Sequence, residues 1–110
     1  MTKVSPSLRL RVVFGPGVML GPGKAELLEM IHETGSIAAA GRRMNMSYKR
    51  AWMLVETMNA TFRAPVVEGS RGGSKGGGAV VTETGIAVLA AYRALVRHLA
   101  SAGKAESDQL

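Results

Sequence analysis

Cysteine is absent from this 110-residue chain, which removes disulfides, thiolate catalysis and cysteine-based zinc sites in one step. Histidine is scarce: His32 and His98 stand 66 positions apart, so a histidine metal site would have to be assembled from distant helices or between subunits. Both read as ordinary helix residues, and neither a metal nor a cofactor is expected. Long apolar runs are missing too. Stretches such as Ile86 to Tyr92 fall far short of the ~20 residues a membrane helix needs, and the N-terminus lacks a signal-peptide core, so a soluble cytoplasmic protein is expected. No nucleophile lies near a base in a recognisable spacing, and the carboxylates are scattered over helix surfaces. Catalytic residues are therefore not expected.

What is present suffices for one small domain, since 46% apolar residues can close a single core and little beyond it. The formal charge of +6 is unevenly placed. Seven basic residues fall between Ser36 and Lys75 (Arg42, Arg43, Lys49, Arg50, Arg63, Arg71, Lys75) against two acidic ones (Glu56, Glu68), a surplus of five. The other 70 residues carry seven basic and six acidic side chains. A charge run by itself is as readily a solvated face as a binding surface. Concentration in one segment fits a polyanion footprint, which neutralises phosphates and releases counterions.

Leu8 to Phe14 alternates apolar and basic residues before turning wholly apolar, the period of two that marks a half-buried strand, and Gly15-Pro16-Gly17 stops it. A second break, Gly21-Pro22-Gly23, precedes a helix over 24–34 whose Leu27, Leu28, Met30 and Ile31 share one face, ended by Gly35. The stretch from Gly35 to Trp52 then reads as two short helices joined by a tight turn. Ser36 caps the first, and Ala38, Ala39, Ala40 and Gly41 are small enough to let a second helix cross it closely. Asn45 and Ser47 bracket the turn, with Ser47 the N-cap of a helix from Tyr48 to about Arg63. Along that helix Ala51, Leu54, Val55, Met58 and Phe62 repeat at three- and four-residue spacing and form a core stripe, leaving Ser47, Tyr48, Lys49, Arg50 and Trp52 on other faces. Trp52, one step round from Ala51, is open between core, groove contact and a packing surface beneath a wing, a buried structural role being the better reading.

Pro65 ends that helix. Strands over 66–68 and 79–82 flank Gly69 to Gly78, where six glycines in ten residues surround Arg71 and Lys75, a pattern that reads as a wing or, alternatively, as a disordered linker. A phosphate-binding P-loop does not fit, because Ser74 stands before Lys75 and Gly76 follows it; Gly15 and Gly17 likewise fail the dinucleotide fingerprint, with Leu20 at the third glycine position. Thr82 caps a last helix reaching about Ser101, in which Ile86, Leu89, Ala90, Leu95, Val96 and Leu99 give an apolar surface broad for one helix. One side packs on the first helix; the other pairs with a second subunit or is simply buried within the protomer. After Gly103 the tail is polar and without anchor residues.

The expected architecture is mainly α with a small β wing: a winged helix-turn-helix with a long C-terminal helix. Residues 1–102 form one DNA-binding and dimerisation domain, and 103–110 a disordered tail. In such a motif the N-terminal end of the second helix faces base edges in the major groove, which makes Tyr48 and Lys49 candidates for base contacts. Ser36, Arg42, Arg43, Ser47, Arg50, Trp52, Ser70, Arg71, Ser74 and Lys75 complete the candidate DNA surface, the glycine-rich wing approaching the sugar-phosphate wall with its backbone. The alternative is a winged helix used for contacts between proteins, with an idle basic wing.

Gly35-Ser36-Ile37, Ser47-Tyr48-Lys49 with Ala51-Trp52, Met58-Asn59, Gly72-Gly73 with Lys75 to Ala79, and Thr82 with Gly85 occur in an order and spacing that span most of 24–99. In these features the chain resembles the N-terminal DNA-binding domain of the ModE family, the bacterial molybdate-responsive transcription regulators, and more remotely the DNA-binding domains of LysR-type regulators. The resemblance implies binding of double-stranded DNA through Ser47, Tyr48, Lys49 and the Arg71 to Lys75 wing. It also implies a homodimer built from the first helix, the N-terminal strand and the last helix, where Leu8, Leu10, Val12, Leu28, Ile31, Leu95 and Leu99 are the candidates. A theme of molybdenum or other oxyanion metabolism comes with it. Full-length members carry C-terminal oxyanion-binding domains, and no molybdate site is expected within these 110 residues.

Overall fold

The structure, a computed structural model, describes residues 6–70 and 78–110. Two short strands open it: β1 (Val12–Gly15) and β2 (Val18–Leu20) pair antiparallel, Val12 opposite Leu20 and Val13 opposite Met19. The alternating pattern predicts a strand from Leu8, yet β1 starts only at Val12. The reason lies in its partner, which is three residues long and leaves Leu8 to Arg11 nothing to pair with. The Leu10 carbonyl instead accepts the Tyr92 hydroxyl at 2.6 Å, so a distant helix holds the N-terminal segment down.

Helix α1 (Pro22–Thr34) begins with proline at a first-turn position, where no amide is needed, and buries Ala25, Leu27, Leu28 and Ile31. It ends at Gly35, whose left-handed φ of 70° lets its amide donate to the Ile31 carbonyl at 2.8 Å. Helix α2 (Ile37–Arg43) follows at once, with Ser36 Oγ accepting from the Ala39 amide at 3.0 Å. The turn to α3 (Tyr48–Thr61) passes through Asn45, which adopts a positive φ of 57° that asparagine tolerates better than most residues. Its tightness depends on Gly41: a Cβ there would lie 3.2 Å from Ala51 Cβ and 3.3 Å from the Met46 carbonyl. The expected small-residue crossing of the two helices is therefore real.

Strands β3 (Val67–Ser70) and β4 (Gly78–Val81) form the antiparallel wing root, with Val67 opposite Val81 and Ser70 opposite Gly78. Thr82 then caps α4 (Glu83–Ala102), its Oγ1 accepting from the Gly85 amide at 3.0 Å. Leu27, Leu28, Ile31, Met58 and Val66 are the largest fully buried side chains, each contributing about 1.5–3 kcal/mol by leaving water. The core thus lies where α1, the back of α3 and the wing root meet. The architecture is mainly α with a small β wing, as expected.

Helix α4 departs from a simple core helix. Of its 20 residues only Gly85 and Tyr92 are buried, and Ile86, Leu95 and Leu99 are exposed, so burial within the protomer does not account for its broad apolar face. One side does meet α1, where Arg93 pairs with Glu29. Leu28 and Ile31, candidates for a subunit interface on sequence grounds, are fully buried in the protomer's own core and have no surface left to offer a partner. Beyond Gly103, where disorder is expected, Lys104–Asp108 form a short helix, α5, with no buried residue; the Lys104–Asp108 pair at 2.7 Å and good helix formers support it locally. Among the described residues no helix is long and apolar enough to cross a membrane.

Candidate nucleic-acid interface

Helix α3 is fastened at its back and free at its front. Ala51, Val55 and Met58 are buried and Leu54 and Phe62 half-buried, so the predicted stripe faces the core. Ser47 Oγ accepts from the Arg50 amide at 3.1 Å and fixes the first turn. From that turn Tyr48, Lys49 and Arg50 all reach solvent. Ser36 and Ser47 use their oxygens as cap acceptors but keep their O–H groups, so each still has a donor for an anion.

At about 100° per residue, Lys49 and Met53 fall within roughly 20° of the line opposite Ala51, while Tyr48, Trp52 and Asn59 lie roughly 60–100° round on one flank. That flank faces the wing. Tyr48 lines a cleft of about 150 Å³ with Ser36, Ile37, Ala38, Gly78 and Ala79, and Asn59 is bonded to β3. Trp52 belongs to the same flank and is 46% exposed, which overturns its reading as a buried residue: the stripe that fills the core passes one step to its side.

The wing root is tied to the helix-turn-helix from two directions. The Ala79 amide donates to the Gly35 carbonyl at 2.9 Å, joining β4 to the end of α1. Asn59 Oδ1 accepts from the amides of Val66 and Val67 at 2.8 and 3.1 Å, and its Nδ2 donates to the Val67 carbonyl at 3.0 Å. Ser70 sits exposed at the end of β3. Arg71, Ser74 and Lys75, the other wing candidates, lie outside the described residues.

Arg42, Arg43 and Arg63 are exposed around the same motif. Arg43 approaches Glu33 at 3.9 Å, a pair between exposed side chains that holds it only weakly. Among the described residues Arg42, Lys49 and Arg50 form no ion pair. Two contributors lie outside the candidate list drawn from the sequence. Met53 escapes it because an apolar residue outside the core stripe carries no signal of its own; its position opposite Ala51 was readable from helical periodicity. Asn59 enters there only through the family resemblance, since nothing local says which backbone it will clamp.

Two closely crossed helices, a capped and outward-facing second helix, and a two-stranded wing fastened beside it define a winged helix-turn-helix protein. No family model matches the chain. It is 47% identical over 79 residues to the molybdenum-pterin-binding protein MopB of Rhodobacter capsulatus, covering 72% of this chain and 29% of that protein. To the molybdenum transport protein ModE of Azotobacter vinelandii it is 38% identical over 94 residues (86% and 35%), and to the DNA-binding transcriptional dual regulator ModE of Escherichia coli K12 it is 36% identical over 76 (69% and 29%). The chain belongs to the ModE family. The matches span about a third of the length of these relatives.

Proposed function

We propose that this chain is a transcription regulator that binds double-stranded DNA as a homodimer. The first turn of α3 enters the major groove, with Tyr48 and Lys49 at base edges and Arg50 on the backbone. Ser36, Ser47, Arg42 and Arg43 hold phosphates, and the wing with Ser70, Arg71, Ser74 and Lys75 follows the sugar-phosphate wall. The observation that carries this reading is the set Tyr48, Lys49 and Arg50, exposed together on a helix whose other face is locked into the core. DNA as the partner implies the cytoplasm as the compartment. Residues 1–102 are the unit assigned to DNA binding and dimerisation.

The pairing surface is the apolar side formed by the N-terminal segment and α4, where Leu8, Phe14, Leu95 and Leu99 are exposed and Leu10 and Val12 half-buried. A two-fold dimer would present two copies of α3 about 34–36 Å apart, or a multiple of that, on one face of the duplex. The names of the relatives, molybdenum transport and molybdenum-pterin binding, support genes of molybdenum or other oxyanion metabolism as the targets.

The test is a titration of a duplex selected from random oligonucleotides, repeated across salt concentrations. With about six to eight phosphates contacted per dimer, log K against log salt should fall with a slope of roughly −5 to −7. A slope near zero, or no duplex binding at low salt, refutes the reading.

A further inference from the structure

Met53 is 52% exposed in the middle of the surface that the proposed function turns toward DNA. Its neighbours there are polar: Lys49 one turn before, Glu56 and Thr57 in the turn after, all exposed. Thr57 Oγ1 donates to the Met53 carbonyl at 2.9 Å, and the other exposed apolar residue on the outward line, Ala60, stands about two turns further from the N-terminal end, so Met53 is the large apolar side chain of that line. Helical side chains lean toward the N-terminus, so a methionine here covers the turn that carries Lys49, the end of α3 that enters the groove. It has no core to fill in that position.

An apolar group at the floor of a major groove has one complementary feature among the base edges, the C5-methyl of thymine. The thioether is unbranched and polarizable and adapts to such a target without a fixed geometry. Trp52 is the competing apolar side chain, but it lies on the flank shared with Tyr48 and Asn59, toward the wing and the backbone wall. Resting on the DNA-binding reading, we propose that Met53 is a specificity-determining residue that reads a thymine methyl in each half-site, beside the base contact made by Lys49.

Thymine and uracil differ by that methyl alone, which makes the experiment direct. A duplex selected by the wild-type protein is resynthesised with deoxyuridine replacing each thymidine in turn, and binding of wild type and Met53→Ala is measured on every version. At one position per half-site the wild type should lose roughly three- to fivefold in affinity, the worth of burying one methyl. Met53→Ala should bind the thymidine duplex weaker by the same factor and be indifferent to uridine there, while Met53→Leu keeps most of the preference. The salt slope of Met53→Ala should equal that of wild type, because no phosphate contact is lost. Tight, salt-dependent binding with no uridine-sensitive position, or with equal sensitivity in Met53→Ala, overturns the role of Met53 and leaves DNA binding standing. Failure of the wild type to bind any duplex overturns both.

Discussion

Asn59 and Val67 are joined by a reciprocal pair of hydrogen bonds, Nδ2 donating to the Val67 carbonyl at 3.0 Å and Oδ1 accepting from the Val67 amide at 3.1 Å. The same oxygen takes the amide of Val66, a residue fully buried. One side chain therefore satisfies three backbone groups that would otherwise lose water without compensation. Asn59→Ala should destabilise the fold by about 2–4 kcal/mol in urea denaturation, since orphaned buried groups cost more than a bond contributes. Asn59→Asp should also destabilise, because it removes the donor and faces a carboxylate to the Val67 carbonyl. A change under about 0.5 kcal/mol for both would show that the clamp is idle.

Gly85 sits in the first turn of α4, where helix propensity alone would favour alanine by up to about 1 kcal/mol. Space decides against it. A Cβ would lie 2.3 Å from the Val66 carbonyl oxygen and 2.6 Å from Val81 Cγ1, and a backbone carbonyl cannot rotate away as a side chain can. Gly85→Ala should lower stability by about 1–3 kcal/mol, the usual cost of overpacking. Thermal denaturation gives the sign, and a stabilised variant would contradict the close approach of α4 to the wing root.

The parts of this fold set by neighbouring residues were legible in the sequence. Ser36, Ser47 and Thr82 each cap the helix expected of them, because a cap is a contact three residues long. The core stripe of α3 followed from periodicity. Legibility failed where a partner far along the chain decides the outcome: Val18–Leu20 becomes a strand only because β1 folds back on it, and Leu10 is held by Tyr92, 82 residues away. Trp52 is exposed for a related reason: a large aromatic suggests burial, while the angular position of the stripe leaves it outside the core. For the candidate interface, sequence located the helix and its basic turn, and the outward position of Met53 follows from the same periodicity; the clamp on the wing needed the assembled elements.

Lys49 is the base-contact candidate whose loss should be seen in specificity. Lys49→Ala should reduce the ratio of specific to non-specific affinity, a good bidentate contact being worth about 1–3 kcal/mol of discrimination. Competition binding with selected and random duplexes measures it. An unchanged ratio would reassign Lys49 to a phosphate.

The wing should behave in the opposite way. Arg71→Ala with Lys75→Ala should weaken binding to selected and random DNA alike and make the salt slope shallower, because phosphate contacts carry no sequence information. Loss confined to the selected duplex would assign base readout to the wing.

Assembly gives the last prediction, and it follows from the apolar side that the protomer leaves uncovered. Phe14, 51% exposed, packs edge-on against Phe62 with ring centroids 5.5 Å apart, and the two help line an apolar groove of about 250 Å³ that Leu95 closes from α4. A second copy applied by a two-fold would bury this groove and the exposed Leu95 and Leu99 in one step. Sedimentation at micromolar concentration should therefore find a dimer. Leu95→Glu puts a charge where the partner must lie, yet Leu95 is 40% exposed in the protomer, so the variant should fold, melt cooperatively and sediment as a monomer. Its salt slope on the selected duplex should fall to about half, since one protomer contacts half the phosphates. A wild-type protein that remains monomeric with and without that duplex would refute the dimer, and a Leu95→Glu variant that still dimerises would move the interface away from α4.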